Sequence, residues 1–327
     1  MKRWFSFAVA LVIVLIPTGL LGADPLPPQP TTKPVIQPKL PAGVLGMKDV
    51  KYGEAPGKAN LLDLFLPENH KGTVPLIIWI HGGGWQAGDK AGCPALGMVA
   101  RGYAVASLNY RFSQEAIFPA CIQDCKGAIR YLRAHAKEMQ IDPERVGVWG
   151  ASAGGHLVAL LGTSADVKEL EGTVGGNLEY SSRVQAVCDW FGPTDMARFF
   201  PQAGDENIFK PAPKSSPLTA LFGGAVEDKK ELVAQANPIT FITKNCPPFL
   251  IMHGDKDTLV PLAQSEILVE ALNTAGVENH LEVLKGAGHG NGFGKPEVSM
   301  MIIAFFEKHL GVSTAPTIPA TPTTPIK

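Results

Sequence analysis

The chain has 327 residues, of which 45% are hydrophobic and 18% are charged. This composition is typical of globular proteins and excludes collagen-like and disordered chains. Lys and Arg, 29 together, nearly balance 30 Asp and Glu, and the formal net charge is −1. Because nucleic acids and acidic membranes attract strongly basic surfaces, we expect no nucleic-acid partner for this protein.

The first 23 residues have the pattern of a signal peptide. Lys2 and Arg3 precede an apolar run over 4–16, and small residues follow at Gly22 and Ala23. The run is shorter than the roughly 20 apolar residues that span a bilayer, so we interpret 1–23 as a cleaved signal. This predicts a secreted or periplasmic protein without stable membrane insertion. The alternative is an uncleaved segment that anchors the protein to the membrane.

Two proline-rich segments flank the rest of the chain. Residues 24–44 contain seven prolines, and residues 312–327 contain four prolines and five threonines. Proline favours extended conformations, and neither segment has enough apolar residues to form a core. We therefore predict a linker over 24–44, one large domain over 45–311, and a disordered tail over 312–327.

Within 45–311, short β-rich apolar runs alternate with helical patterns. Apolar residues recur at helical spacing over 119–139, 156–161, 261–275 and 297–310. Several of the other runs are apolar nearly throughout, as expected of strands covered on both faces. The alternation predicts an α/β fold with a mostly parallel sheet and helices on both faces. The predicted strands are 61–66, 76–80, 103–108, 145–149, 184–190, 248–252 and 281–284.

The sequence Gly-Ala-Ser-Ala-Gly over 150–154 joins a predicted strand to a helical run. In parallel sheets, ligands bind at the carboxyl ends of the strands, where this segment lies. Small residues allow a sharp turn that presents a serine hydroxyl in front of a helix N-terminus. The pattern indicates Ser152 as a nucleophile. The alternative is a tightly packed glycine-rich turn without a catalytic role.

A second glycine-rich segment, His-Gly-Gly-Gly-Trp over 81–85, follows the predicted strand 76–80. Consecutive glycines leave backbone N–H groups unshielded, so these groups can converge on the oxyanion of an acyl-transfer intermediate. The alternative, a phosphate-binding loop, requires a Lys-Ser/Thr ending or a Gly-x-Gly-x-x-Gly spacing. This segment has neither.

An activated serine also needs a base and an acid that orients it. His289 lies in a glycine-rich segment after the predicted strand 281–284, and two carboxylates, Asp255 and Asp257, follow the strand 248–252. The chain order is then serine, acid, histidine. In this arrangement His289 takes the serine proton and Asp257 fixes its tautomer, with Asp255 as the alternative acid.

These motifs occur in the order found in a known family. Over nearly all of 45–311 the chain resembles α/β-hydrolase esterases of the bifunctional acetylxylan/feruloyl esterase type. It is also similar to the broader hormone-sensitive-lipase-like carboxylesterases. The motifs that carry the resemblance are His81–Trp85, Asn109–Arg111, Phe118–Leu132, Gly150–His156, Gly192–Asp195 and His253–Pro261.

The resemblance implies an α/β-hydrolase fold with a helical insert over the site, in the region 196–237. It implies Ser152 as nucleophile, His289 as base and Asp257 as acid. The oxyanion donors that it implies are the N–H groups of Gly83, Gly84 and Ala153. Trp85, beside the glycines, either lines an acyl or alcohol pocket as a substrate-binding residue or packs in the core.

Other polar groups give weaker signals. Arg111 and Asp124 either bind substrate or brace a loop against the following helix. Cys121 and Cys125 lie four residues apart on a predicted helix, which places their Cβ atoms too far apart for a disulfide. No Cys/His grouping has zinc spacing and no EF-hand pattern occurs, so we expect no metal and no organic cofactor.

Three functions agree with these features. The first is a secreted serine carboxylesterase acting on small-molecule or polysaccharide esters; the resemblance adds acetyl or feruloyl esters of plant polysaccharides. The second is a peptidase related to prolyl oligopeptidases, against which only about 20 linker residues precede the core. The third is a non-catalytic binding module, which would have no need of Ser152, Asp257 and His289. The oligomeric state is left open.

Overall fold

An eight-stranded sheet forms the centre of the protein in a computed structural model that describes residues 40–165, 167–203 and 216–311. The strands are β1 (Val44–Lys51), β2 (Leu61–Pro67), β3 (Val74–Ile80), β4 (Ala104–Leu108), β5 (Ile141–Ala151), β6 (Ala186–Trp190), β7 (Phe249–Gly254) and β8 (Asn279–Leu284). Their order in the sheet is β1-β2-β4-β3-β5-β6-β7-β8. β2 is antiparallel to both of its neighbours, and the other pairs are parallel. The prediction of a mostly parallel sheet is confirmed.

Helices cover both faces of this sheet. The helices of the described residues are α1 (Ala120–Ala134), α2 (Ala153–Thr163), α3 (Lys168–Glu171), α4 (Met196–Gln202), α5 (Pro217–Phe222), α6 (Lys230–Ala236), α7 (Leu262–Thr274) and α8 (Pro296–Leu310). α1, α2 and α7 bury Ile122, Leu157 and Leu268 in the core on one face. α8 and a 3₁₀ helix over Pro94–Arg101 bury Ile302 and Met98 on the other.

The central strand β3 shows why the sequence selects this architecture. All seven of its residues are buried, and the side chains of Ile77 and Ile78 lie on opposite faces of the sheet, each fully covered. Burying one such side chain contributes about 1.5–3 kcal/mol to folding. A run that is apolar on both faces is stable only with a layer of helices on each side.

The structure corrects several predicted boundaries. β1 was not predicted: it begins at Val44, the last residue of the predicted linker. It is an edge strand, and its charged residues Asp49 and Lys51 are exposed, so its sequence has no long apolar run. α1 ends at Ala134 and not at 139, because the chain turns at His135–Gln140 to enter β5. The predicted signal peptide, the linker up to 39 and the tail 312–327 lie outside the described residues. None of the helices described here has the length and apolar character needed to cross a membrane.

Buried cationic side chains on α1 hold the segment that leads from α2 to β6. The Lys126 ammonium donates to the Ser164 carbonyl over 2.7 Å and to the Glu171 carboxylate over 3.1 Å. The guanidinium of Arg130, which is fully buried, donates to the same carboxylate. Burial alone would raise the pKa of Glu171, but the two cations and the Ser182 hydroxyl hold it below its ordinary value.

We expect Glu171→Gln to destabilise the protein by about 3–5 kcal/mol, since it leaves two buried cations without this carboxylate. The free energy of unfolding in urea measures the loss. Glu169→Gln, an exposed change two residues away, is the control and should stay within about 0.5 kcal/mol. Equal stability of the two variants would contradict the role of the ion pairs.

Candidate active site

Ser152 lies at a strained turn between β5 and α2. Its backbone has φ 56° and ψ −120°, a region that non-glycine residues rarely adopt. Its N–H group donates to the Trp190 carbonyl on the neighbouring strand over 2.9 Å. The turn also requires Gly154, since a Cβ atom there would lie 2.0 Å from the Ile80 carbonyl oxygen. The predicted strand–turn–helix context of the serine is confirmed.

His289 and Asp257 are joined directly by a hydrogen bond. The His289 Nδ1 atom lies 2.7 Å from Asp257 Oδ2. A carboxylate accepts this bond, so Nδ1 carries the proton and Nε2 is left as the acceptor. The imidazole is 19% exposed, whereas the carboxylate is fully buried. The buried carboxylate therefore holds the imidazole in place and leaves its Nε2 atom free to accept a proton.

Asp257 is held ionised by several donors. Its Oδ1 atom accepts the N–H groups of Leu259 and Val260 over 2.8 and 2.9 Å. The Nε2 atom of a second histidine, His253, lies 3.4 Å from Oδ2. Burial alone would raise the pKa of Asp257, but the bonds from His253 and His289 hold it well below its usual range.

Asp255, the alternative acid, has a different role. Its Oδ1 atom accepts the N–H group of Gly286 over 2.6 Å, which ties the end of β7 to the loop after β8. That loop carries His289. Asp255 therefore supports the loop, and Asp257 contacts the imidazole.

Two consecutive residues at the end of β6 contact Ser152 and His289. Trp190 accepts the Ser152 N–H group, and the next residue, Phe191, packs its ring against the His289 imidazole with centroids 4.5 Å apart. Among the described residues, the Ser152 hydroxyl makes no hydrogen bond to His289. Such bonds commonly tighten only in the substrate complex. The structure thus places both residues at the side of the sheet where the parallel strands β5 and β8 have their carboxyl ends.

The glycine loop after β3 runs beside Ser152. A Cβ atom on Gly82 would lie 3.2 Å from Ser152 Cβ, so the loop and the serine are in contact. Gly83 and Gly84 have φ 114° and 60°, and a Cβ atom on Gly83 would lie 2.1 Å from the Ala87 carbonyl oxygen. Ala153 is the first residue of α2, where backbone N–H groups lack partners within the helix.

Trp85 packs behind this loop. Its side chain is fully buried, and its Nε1–H group donates to His156 Nδ1 over 3.2 Å. His156 Nε2 in turn donates to the Ala236 carbonyl over 2.7 Å. Burial lowers the pKa of His156 to about 4, which keeps the ring neutral as these bonds require. The structure favours core packing for Trp85 over the predicted substrate-binding role.

The Arg111–Asp124 pair braces the end of β4 against α1. The Arg111 Nε and Nη2 atoms and its backbone N–H group all donate to the fully buried Asp124 carboxylate. The pair therefore braces a loop against the following helix, which is the second of the two predicted interpretations.

The described part of the insert, α4 to α6, contacts the core through two backbone carbonyls. The Leu221 carbonyl accepts the Phe118 N–H group, and the Ala236 carbonyl accepts the bond from His156, one helical turn after Ser152.

A buried carboxyl group, Asp189, lies beneath the serine turn. It stands on β6 opposite Gly150, and its Oδ1 atom accepts the Gly192 N–H group over 2.9 Å. Its Oδ2 atom has no hydrogen-bond partner among the described residues. Burial raises the pKa of Asp189 to about 6. A carboxyl group here therefore costs stability when it ionises.

Sequence reasoning gave no role to three of these residues: Phe191, Asp189 and His253, the last of which begins a motif that carries the resemblance. Phe191 precedes Gly-Pro, which is the sequence signal of a turn at the end of a buried strand. In the structure it has φ 43°. His253 lies four residues before Asp257 at the end of β7. Asp189 is a charged residue inside an otherwise apolar strand, and Asp is seldom fully buried without a pairing partner.

The sequence profile of one protein family matches most of this core. The match covers residues 62–272 and is to the BD-FAE family. The chain belongs to the BD-FAE family. Its sheet and helices have the α/β-hydrolase fold, as the sequence resemblance implied.

Curated relatives of this BD-FAE protein include proteins that are 25% to 32% identical to it over the aligned residues. The probable carboxylic ester hydrolase LipM of Mycobacterium tuberculosis is 32% identical over 233 residues, covering 68% of this chain and 51% of LipM. The chain thus spans about half the length of the curated relatives it matches.

Solved structures resemble it as well. A truncated carbohydrate esterase from gut microbiota is 35% identical, with a TM-score of 0.73, covering 80% of this chain and 95% of that one. A bifunctional GH43-CE protein of Bacteroides eggerthii is 36% identical, with a TM-score of 0.74, covering 80% of this chain and 38% of that one.

The two carboxylates after β7 give opposite expectations. Asp257→Asn should lower kcat/KM for p-nitrophenyl acetate by about 10³–10⁴-fold, because an amide does not hold the imidazole in the required tautomer. Asp255→Asn should lower it by less than about tenfold. A large loss in Asp255→Asn with little loss in Asp257→Asn would contradict this assignment.

Asp189 should make stability depend on pH. Folding raises the pKa of Asp189 from 3.8 to about 6. Below pH 3.8 the group is protonated in both states and does not reduce the free energy of unfolding. This free energy then falls as the pH rises from 3.8 through 6, because the unfolded state ionises first. Asp189→Asn is uncharged at every pH. Relative to wild type it should gain about 3 kcal/mol between pH 4 and 8, measured by urea unfolding at each pH. The exposed change Asp228→Asn should give no such difference, and an equal pH profile in all three proteins would contradict the prediction.

Proposed function

We propose that the protein is a serine carboxylic-ester hydrolase. The observation that carries the proposal is the 2.7 Å hydrogen bond from His289 to the buried Asp257 carboxylate, at the same sheet edge as the strained Ser152 turn. A solvated loop histidine would not need a buried anion as its partner. A pure binding module would not need the strained serine, which costs about 1–3 kcal/mol.

In the proposed acylation step, Ser152 Oγ attacks the ester carbonyl carbon while His289 Nε2 takes its proton. The carbonyl oxygen becomes an oxyanion, which accepts hydrogen bonds from the N–H groups of Ala153 and of Gly83 or Gly84. Each such donor contributes about 10²–10³-fold to kcat. The tetrahedral intermediate then collapses, its C–O bond to the alcohol breaks, and the imidazolium gives the alcohol its proton.

Deacylation repeats these steps with water. His289 takes a proton from water, the hydroxide attacks the acyl carbon, and Ser152 leaves with the proton that the imidazolium returns. Asp257 stays ionised throughout and stabilises the imidazolium. Its low pKa supports this role, because the carboxylate does not take the proton at working pH.

We further propose acetyl or feruloyl esters of plant polysaccharides as the substrates. The support is the family, together with relatives described as a carbohydrate esterase and as an acetyl ester-xyloside bifunctional hydrolase. Export to the periplasm or medium, proposed from residues 1–23, would place the enzyme with such substrates. No cofactor enters the proposed chemistry.

Replacing the nucleophile tests the reaction class. Ser152→Ala should lower kcat for p-nitrophenyl acetate by about 10⁴-fold or more, and should abolish labelling by a fluorophosphonate probe. Ser299→Ala, an exposed serine on α8, is the matched control and should keep both. Full labelling of Ser152→Ala would contradict the proposal.

A substrate panel tests the substrate class. Wild-type protein is assayed on acetylated xylan, methyl ferulate, a glucuronate methyl ester, a short triglyceride and a chromogenic prolyl peptide. We expect the highest kcat/KM on acetylated xylan or methyl ferulate. Turnover of the peptide without turnover of esters would favour a peptidase instead.

A further inference from the structure

A concave site separate from the candidate active site lies at the opposite end of the sheet from His289. We call it the β1 cavity: it has a volume of about 670 Å³ and is lined by 51–55, Asn60, Arg111, Tyr131, His135 and 173–177. None of the proposed catalytic residues lines it. β1 is four strands from β5 in the sheet, which is roughly 19 Å at the usual strand spacing. The volume of the β1 cavity falls within the ~300–1,000 Å³ of typical small-molecule sites.

The walls of the β1 cavity are held in place by buried groups. The Arg130 guanidinium donates to the Val174 carbonyl over 2.9 Å and to the Gly176 carbonyl over 3.3 Å. Gly175 packs so closely on the opposite wall that a Cβ atom there would lie 2.1 Å from the Tyr52 carbonyl oxygen. A preformed site of this kind loses little conformational entropy when it binds a ligand.

The charges in the β1 cavity cancel. Lys51 and Glu54 form an exposed ion pair over 2.8 Å, and the Arg111 charge is neutralised by the buried Asp124 carboxylate. The lining therefore gives no electrostatic preference for an anion or a cation. It does offer hydrogen bonds of both kinds, since Arg111 Nη1 has no partner in the described part of the chain and the Glu54 carboxylate is 88% exposed.

One wall of the β1 cavity is aromatic. The ring of Tyr131, on α1, packs against the ring of His135, the first residue after α1, with centroids 4.2 Å apart and an angle of 30° between the rings. Both side chains are half-buried. A partly exposed ring beside paired charged groups suits a ligand with an apolar face and hydroxyl groups around its edge. A pyranose ring of an uncharged glycan has that chemistry.

We propose that the β1 cavity binds a short uncharged stretch of glycan backbone, separate from the ester-hydrolysing site. This inference rests on the proposed function, because it takes the backbone of the polysaccharide ester as the ligand. Tyr131 provides the stacking surface, and Arg111 and Glu54 hydrogen-bond the hydroxyl groups. The site holds the polymer while an acyl group on another part of it reaches Ser152.

The test measures binding of unesterified xylohexaose to the full-length protein by isothermal titration calorimetry. Because this ligand has no ester, binding is measured apart from turnover. Tyr131→Ser should raise the Kd at least tenfold, and Tyr131→Phe, which keeps the ring, should change it less than twofold. His135→Ala should also weaken binding, whereas His280→Ala, an exposed histidine on β8, should not.

Turnover provides the second measurement. All four variants should hydrolyse p-nitrophenyl acetate at the wild-type rate, which also shows that they are folded. On acetylated xylan, Tyr131→Ser should raise KM at least fivefold with kcat unchanged.

Absence of xylohexaose binding to the wild type would overturn the inference. So would wild-type affinity in Tyr131→Ser and His135→Ala, or a tenfold preference for a glucuronate-bearing oligosaccharide. Tyr131-dependent binding without hydrolysis of acetylated xylan would refute only the proposed substrate. Hydrolysis of acetylated xylan without Tyr131-dependent binding of xylohexaose would refute only the proposed glycan binding by the β1 cavity.

Discussion

The hydrogen bond from the Ser152 N–H group to the Trp190 carbonyl fixes the geometry on which the candidate site depends. It stabilises a backbone conformation that a serine does not adopt on its own, with φ 56°. The same segment of β6 continues into Phe191, whose ring packs on His289. A single strand end therefore positions the nucleophile through its backbone and the base through a side chain, although the two residues are 137 positions apart in sequence.

Electrostatics complete this arrangement through two buried carboxyl groups with opposite pKa shifts. Asp257 accepts bonds from two backbone N–H groups and from His289, so its charge is compensated inside the protein. Asp189 accepts one N–H bond and keeps an oxygen without a partner among the described residues, so burial dominates. The number of donors that reach each group decides the direction of its pKa shift and whether its ionisation stabilises or destabilises the folded protein. Burial alone would have treated both alike.

The sequence predicted the parts of the fold that rest on local patterns. β3 and β7 are continuous apolar runs, and the Gly-x-Ser-x-Gly turn has a recognisable strand before it and helix after it. β1 could not be found in this way, because an edge strand with one covered face has no such run. The residues alone left Asp255 open as an alternative to Asp257, since both follow β7, and the resemblance implied Asp257. The choice depends on which carboxylate the loop after β8 meets, a contact between segments some 30 residues apart.

The sheet separates two tasks that a polymer substrate would impose. Chemistry needs a few atoms held to within fractions of an ångström, which the buried Asp257 and the strained Ser152 provide near β5, β7 and β8. Capture of a long chain needs only contact area, and the proposed β1 cavity supplies it from an edge strand, α1 and a surface loop. Binding at the distant site would raise the local concentration of ester groups near the serine without touching the transition state. Such a contribution lowers KM and leaves kcat unchanged, which is why polymer and small ester should respond differently to the same change at Tyr131.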